Sequence, residues 1–265
     1  MYEFEYQKPG SLSEAASALK SADDGSLLAG GQTLLPTMKQ RLASPSDLVD
    51  LAGVPDMSGI SVDGGNIVVG AMTTHAAVAG SADVQSNIPG LAKLAGCIGD
   101  PQVRHRGTIG GSIANNDPAA DYPGACLGLG ATIVTDSREI SADDFFVGLF
   151  ETALNDGEII TAVRFPIPET SDYAKFPQPA SRFSLVGAFV ARTSSGARVA
   201  ITGAGQEGVF RVPEMEAALN SNFAAGAVAS ISVPSDDLNS DIHGSAEYRA
   251  HLVTVMAKRA VDGCG

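Results

Sequence analysis

Apolar and polar positions change their period several times along the chain, and each change marks an element. Ser11 to Lys20 has the pattern of a short helix, with Ser11 and Glu14 at capping-box spacing. Ser26 to Ala29 is a brief apolar run that predicts a strand. Leu34 to Leu42 predicts a helix with Pro36 in its first turn, and Asp47 to Leu51 a second strand. Strand, glycine turn, helix and strand form a βαβ unit, for which a parallel sheet and right-handed crossover are expected. Past a turn at Gly64-Gly65-Asn66, strands are predicted over Ile67 to Ala71, Ala131 to Thr135 and Glu158 to Phe165. Helices are predicted over Thr74 to Gly80 and Ile88 to Ile98, the second stopped by Gly99-Asp100-Pro101, and Ser141 caps a short one. Pro166, Pro168 and Thr170-Ser171-Asp172 mark a domain boundary. Beyond it, the apolar runs Phe183 to Arg192 and Ala197 to Thr202 flank Thr193-Ser194-Ser195-Gly196 and read as a hairpin. Pro213 to Leu219 and Ser245 to Val261 read as helices, the longer one ended by Gly263. The expected class is α+β. A first domain covers 1–168, with subdomains of about 1–55 (the βαβ unit) and 56–168 (mixed α/β). A small C-terminal α+β domain over 175–265 has an antiparallel sheet packed on helices.

Two glycine-centred stretches interrupt this pattern: Ala29-Gly30-Gly31-Gln32-Thr33 and Thr108-Ile109-Gly110-Gly111-Ser112. Adjacent glycines let backbone N–H groups face outward and approach a phosphate, because no Cβ intervenes. Two such stretches far apart in sequence suggest one diphosphate held from two sides, hence a nucleotide cofactor. Double glycines also make ordinary turns. The fingerprint G-x-G-x-x-G in a strand–turn–helix setting and the lysine of a P-loop are both absent, and Gly203-Ala204-Gly205 reads as a turn. The second stretch has suggestive neighbours. Arg104, His105 and Arg106 form the densest basic cluster, which is either a solvated surface or a complement to a phosphate. Asp117 and Asp121 follow; a carboxylate there can accept hydrogen bonds from ribose hydroxyls, and Asp117-Pro118 can equally start a turn.

Composition narrows the partners. With 30 acidic residues against 17 basic ones, the formal charge is −13, which argues against nucleic-acid backbone binding and leaves any phosphate to backbone amides and local dipoles. Cys97, Cys126 and Cys264 show no C-x-x-C spacing, so no zinc or iron–sulfur site is expected on this chain; reduced thiols fit a cytoplasmic protein. The first residues, MYEFEYQKPG, carry no secretory pattern, and no apolar run is long enough to span a membrane.

Longer motifs carry a resemblance. The run from Ala29 through Gly30-Gly31-Gln32-Thr33-Leu34-Leu35 to Pro36 resembles the first FAD loop in the medium subunit of molybdenum hydroxylases, the family of aerobic carbon monoxide dehydrogenase and xanthine dehydrogenase. Gly99-Asp100-Pro101-Gln102-Val103-Arg104-His105-Arg106-Gly107-Thr108-Ile109-Gly110-Gly111-Ser112-Ile113-Ala114-Asn115 resembles the second, and Asp117-Pro118-Ala119-Ala120-Asp121-Tyr122-Pro123 extends it. Pro179-Ala180-Ser181-Arg182-Phe183-Ser184-Leu185-Val186-Gly187 resembles the start of the family's C-terminal domain. The resemblance covers nearly the whole chain and implies a two-part, PCMH-like FAD-binding domain.

It also implies roles. Ala29, Gly30, Gly31, Gln32 and Thr33, with Thr108, Ile109, Gly110, Gly111 and Ser112, would wrap the FAD diphosphate. Asp121 would contact the nucleotide's sugar, with Asn115 in the same loop; Ile160 matches an apolar position near the adenine or flavin. Phe183 falls where the carbon monoxide dehydrogenase pattern has a tyrosine beside the flavin. Some relatives place a lysine near the isoalloxazine, and Lys175 is the nearest basic residue. No histidine or cysteine sits within either glycine stretch, so FAD is expected to be noncovalent, and no general acid, base or metal ligand is assigned. The flavin would supply the redox chemistry. A large molybdopterin subunit and a small subunit with [2Fe–2S] clusters would be separate chains, electrons running through the clusters to FAD and on to an external acceptor. An apolar patch near the flavin edge is the expected meeting surface. Two other readings stay open: a self-contained flavin oxidase or reductase, and a non-enzymatic nucleotide-binding module.

Overall fold

A computed structural model describes residues 1–265. The chain opens with β1 (Glu5–Gln7), α1 (Leu12–Ser21), β2 (Gly25–Leu28), α2 (Leu34–Lys39) and β3 (Asp47–Asp50). The strands form one sheet in the order β1-β3-β2 with both pairings parallel, so the βαβ unit forms as expected. Strand β1, only three residues long and mostly exposed, carries no sequence signal of its own. At the start of α1 the Ser11 hydroxyl accepts the Glu14 N–H, while the Glu14 carboxylate turns to the N–H of Gly10. The capping box is therefore shifted by one residue.

The middle of the chain runs through β4 (Ile60–Asp63), β5 (Asn66–Gly70), α3 (His75–Gly80), α4 (Ala82–Asn87), α5 (Pro89–Gly96), α6 (Pro101–Arg106), α7 (Ile109–Asn115), α8 (Tyr122–Leu129), β6 (Thr132–Thr135), β7 (Glu139–Ser141), α9 (Ala142–Phe145), β8 (Phe146–Gly148), β9 (Glu151–Thr152) and β10 (Ile160–Pro166). Strands β4-β5-β10-β6-β7 make an antiparallel sheet, and β8 and β9 a separate hairpin. Two sequence readings change here. Gly99-Asp100-Pro101 does more than end a helix: the Asp100 carboxylate caps α6 by accepting the Val103 N–H at 2.9 Å, and Pro101 occupies its first turn. The second glycine stretch is not a loop. Thr108 is the N-cap of α7, and the glycines lie in its first turn. Helix α8 also escaped the pattern, because all eight of its residues are buried and a helix apolar on every side has no polar face to mark its period.

The last part comprises β11 (Thr170–Pro177), β12 (Ser184–Thr193), β13 (Gly196–Thr202), β14 (Phe210–Arg211), α10 (Pro213–Ser221), α11 (Ala225–Val228) and α12 (Ala246–Gly263). The four strands form an antiparallel sheet in chain order, with Thr193 opposite Gly196 at the expected hairpin. Thr170-Ser171-Asp172 begins β11 rather than a linker, and a unit starting at 175 would cut that strand. Both faces of this sheet are covered, which explains the unbroken apolar runs. Tyr173, Phe189, Ala191 and Ala200 face the core shared with the middle of the chain; Ala174, Ala188, Val190, Val199 and Ile201 face the core under α10 and α12. A Lys93–Asp172 ion pair and the Thr202 hydroxyl, which donates to the carbonyls of Pro118 and Ala120, tie the sheet to the middle helices. No helix is long and apolar enough to cross a membrane.

Candidate cofactor site

Where these parts meet lies a cleft of ≈ 620 Å³, within the range of small-molecule and cofactor sites, roughly 300–1,000 Å³. Its walls are the β2–α2 loop, the start of α7, the segment leading into β10, and the chain around Phe183. Of the site residues named from the sequence, Ala29, Gly30, Gly31, Gln32, Thr33, Thr108, Gly110, Gly111, Ser112, Asn115, Asp121, Ile160 and Phe183 all line it. Ile109 does not; its side chain is fully buried in the hydrophobic core. Arg104, His105 and Arg106 stay outside. The Arg104 guanidinium donates to the carbonyls of Ile98 and Gly99, so the basic cluster does not complement a phosphate in the cleft.

The two glycine stretches prepare the cleft by different means. From Ala29 through Leu34, no backbone N–H is donated to any protein acceptor. Six consecutive unsatisfied donors at a cleft wall form a surface suited to an anion. Gly31 adopts φ +71, and Gly30 presses against the backbone of Arg106 and Gly107; a Cβ there would collide with the Arg106 carbonyl. In the second stretch the donors are already used. Ile109 N–H goes to the Thr73 carbonyl at 3.1 Å, Gly110 N–H to Ala71 at 2.8 Å, Gly111 N–H to the Thr108 hydroxyl at 3.2 Å, and Ser112 N–H to the Thr108 carbonyl at 3.1 Å. The expectation that both stretches offer free amides therefore holds at the first alone. The second lets helix and sheet close up, since a Cβ on Gly110 would sit 2.6 Å from the Ala71 Cβ. What it presents to the cleft is the side chains of Ser112 and Asn115, neither of which bonds to the protein. These donors and acceptors, beside the apolar Ile98, Leu154 and Ile160, fit a ligand with both a diphosphate and aromatic rings.

Asp121 is a buried polar group of the cleft. One carboxylate oxygen accepts the Tyr173 hydroxyl at 2.5 Å, and the Lys175 ammonium lies at 2.9 Å. Burial raises the Asp121 carboxyl above the ordinary aspartate range, opposed by the Lys175 charge and the Tyr173 hydrogen bond. A carboxylate can accept about four hydrogen bonds, so these two partners leave capacity for a sugar hydroxyl. Lys175 does not line the cleft; its side chain is 5% exposed and also reaches the Cys97 carbonyl at 3.3 Å. Phe183, half-exposed, stands at the mouth.

Two cleft residues were missed in the sequence reading as site features. Glu158 accepts from Thr135, Arg138 and the Asn155 N–H, which anchors the wall that continues into Ile159 and Ile160. The Arg138 hydrogen bonds hold its carboxyl down at about 2. His75, which also lines the cleft, is buried against Tyr122, with ring centroids 5.3 Å apart and Nδ1 unpartnered. Burial, then the nearby Arg104 charge, lowers it to about 4. Acid is therefore expected to weaken the fold in two windows. A lowered histidine contributes stability that is complete above about pH 6.5 and lost as pH falls toward 4, at up to about 1.4 kcal/mol per pH unit. A lowered carboxyl contributes stability present above 4.5 and lost as pH falls through 2. Urea unfolding against pH checks this: His75→Leu should flatten the upper window and Glu158→Gln the lower. Unchanged slopes in both would refute the assignment.

The comparisons with known proteins agree with this geometry. The family described as "FAD binding domain in molybdopterin dehydrogenase" matches residues 2–168. The chain is 36% identical to the carbon monoxide dehydrogenase medium chain of Afipia carboxidovorans, covering 98% of this chain and 96% of that one. It is also 36% identical to the nicotine 6-hydroxylase medium subunit of Paenarthrobacter nicotinovorans, with the same coverage, 98% and 96%. Among solved structures, reconstituted CO dehydrogenase from Oligotropha carboxidovorans superposes with a TM-score of 0.91 at 33% identity, covering 99% of this chain and 98% of that chain. Quinoline 2-oxidoreductase from Pseudomonas putida 86 gives 0.89 at 32% identity, covering 99% and 97%. The cleft, its free amides and a family match over most of the chain lead to one assignment: this protein belongs to the FAD-binding medium subunits of the molybdenum hydroxylases, and FAD is its cofactor.

Proposed function

We propose that this chain is the electron-transfer subunit of a multi-subunit molybdenum hydroxylase, taking electrons from [2Fe–2S] clusters on a small partner and passing them to an external acceptor. The substrate would be hydroxylated on a large molybdopterin-bearing partner. The observation that carries this reading is that full-length relatives at similar identity are named for chemically different substrates, carbon monoxide and nicotine. A subunit shared in shape across such substrates serves a step they have in common. When bound, FAD supplies that step by accepting one electron at a time and releasing two.

The chain's own residues bind and orient. The amides of 29–34 would hold the diphosphate, and Ser112 and Asn115 would add side-chain hydrogen bonds from the neighbouring start of α7. Asp121, held in place by Tyr173 and Lys175, would accept a sugar hydroxyl, and Phe183 would flank the cofactor at the mouth. Within the chain, no group of three or more His, Cys, Asp or Glu side chains is arranged to hold a metal ion. The family match describes an FAD-binding domain, and the cluster and molybdenum chemistry is assigned to the partners on that reading.

The test compares the FAD-loaded chain alone with the assembled complex. Alone, it should leave the organic substrate untouched; in the complex, substrate should bleach the flavin absorbance. Turnover of substrate or NAD(P)H by the isolated chain would favour a self-contained oxidase or reductase instead, and binding of FAD without its reduction in the complex would favour a non-enzymatic module.

A further inference from the structure

His75 opens α3 on the wall of the cofactor cleft and is 5% exposed, yet neither of its ring nitrogens has a hydrogen-bond partner in the protein. Buried polar groups are paired as a rule, and each exception calls for a reason. The two nitrogens differ in their surroundings. Nδ1 is sealed from solvent. Nε2 is not sealed in this way. It lies beside Gly107, which lines the same cleft: a Cβ on Gly107 would sit 2.5 Å from Nε2 and 2.9 Å from Cδ2.

Gly107 supplies a second, independent sign. Its backbone, at φ −60 and ψ 140, is open to any residue, so conformation does not require glycine there. Space does, because a Cβ would take the place of the imidazole edge. On its other side the Gly107 Cα packs against Gly30, whose own Cβ would approach it at 2.7 Å. Contacts therefore run from His75 through Gly107 to Gly30, and they set the ring beside the loop whose six amides are donated to no protein acceptor. Positive charge is scarce around that loop. Arg182 is the one cationic side chain lining the cleft, and it is exposed and donates to the Gly99 carbonyl at 3.3 Å. A diphosphate is then left to N–H and O–H donors. Burial, then the nearby Arg104 charge, keeps the His75 ring neutral, so it has one proton to place. On Nδ1 that proton would be sealed away from any acceptor. On Nε2 it faces the cleft.

We infer that His75 is a cofactor-binding residue whose Nε2–H donates to the FAD diphosphate beside the amides of 29–34, in a space that Gly107 keeps open. The inference rests on FAD as the cofactor and is independent of the electron-transfer reading. A neutral N–H donating to an ionised phosphate makes a bond about twice as strong as one between neutral groups. That gain accounts for a buried imidazole that the protein itself leaves unpaired.

The experiment titrates FAD into the full-length chain stripped of flavin, as wild type, His75→Gln and His75→Leu. Glutamine carries an amide N–H close to where the imidazole Nε2 stands, whereas leucine fills space and offers no donor. His75→Leu should bind FAD at least about tenfold more weakly, and His75→Gln should stay within about threefold of wild type. Wild-type affinity in His75→Leu would remove His75 from the site, and equal losses in the two variants would reduce it to packing. A second measurement needs no variant to fold. In nitrogen NMR of the histidine-labelled wild type, His75 is identified among the four histidines by its contacts with the Tyr122 ring. It should be protonated at Nε2, and added FAD should slow exchange of that proton with solvent. The phosphorus NMR signals of bound FAD, at saturation, should also differ between wild type and His75→Leu. Protonation at Nδ1, an Nε2 proton that FAD leaves unprotected, or identical phosphorus signals in the two proteins would overturn the inference.

Discussion

Replacing Gly30 by alanine is expected to abolish FAD retention. The substitution adds one methyl group where the β2–α2 loop touches Arg106 and Gly107, and that methyl would overlap the Arg106 carbonyl and approach the Gly107 Cα at 2.7 Å. Backbone cannot rotate away as a flexible side chain can, so the loop must move. The six amides from Ala29 to Leu34, none of them donated within the protein, move with it. Overpacking of this kind costs about 1–3 kcal/mol in the fold, and misaimed donors add to the loss in binding. The expected fall in FAD affinity is at least about 100-fold, or ~3 kcal/mol. Gly111→Ala is the internal control. Its Cβ would lie 3.0 Å from the Thr108 hydroxyl and 3.6 Å from the Ala29 Cβ, and the amides of its stretch are already donated within the protein. It should weaken FAD by about tenfold or less. Titration of each apoprotein with FAD, alongside far-ultraviolet circular dichroism, decides the matter. Gly30→Ala binding FAD as wild type does would remove the first loop from the site, and equal losses in the two variants would contradict the different roles given to the two stretches.

That difference shows where the sequence was legible. The two glycine pairs look alike as letters, and the residues they nominate do gather at one cleft, apart from Ile109. What separates them is the carbonyls of Ala71 and Thr73 at the end of β5, which the fold brings to the start of α7. No spacing rule reveals a contact so far along the chain. Elements with a clear period, such as α1, α12 and the β12–β13 hairpin, were readable. Helix α8 was hidden by its complete burial, and the apolar run of β12 showed only later that both its faces are covered. Some signals were present and passed over. Asp100-Pro101 is a cap followed by a first-turn proline, and Thr108 stands three residues before Gly111 as an N-cap does. The Leu149-Phe150 turn was unreadable for the opposite reason: its residues contradict the conformation they adopt.

The buried pair of Asp121 and Lys175 is separated by 54 positions in sequence, and breaking it is expected to cost a large part of the fold's stability. Both side chains are 5% exposed, so neither charge has water to fall back on. Lys175→Met keeps the length of the side chain and removes the ammonium. The Asp121 carboxylate would then keep the Tyr173 hydroxyl as its one remaining protein partner. Breaking one side of a buried pair costs about 3–5 kcal/mol, because an uncompensated charge remains. The pH dependence identifies the cause. Burial already raises the Asp121 carboxyl, and loss of the Lys175 charge removes the main opposing influence, so its folded-state value rises further. A raised acid favours the folded state below its unfolded value and loses that contribution as pH rises through the folded one. The variant's deficit relative to wild type should therefore be larger at about pH 8 than at about pH 5. The double substitution Asp121→Asn with Lys175→Met removes both charges and should recover most of the loss at the higher pH, as buried pairs exchanged for neutral groups commonly do. Urea unfolding of the three proteins at both pH values is the measurement. A deficit independent of pH, or a double variant no more stable than Lys175→Met, would mean that Lys175 stabilises the fold by packing and that its charge does not hold Asp121 beside the flavin cleft.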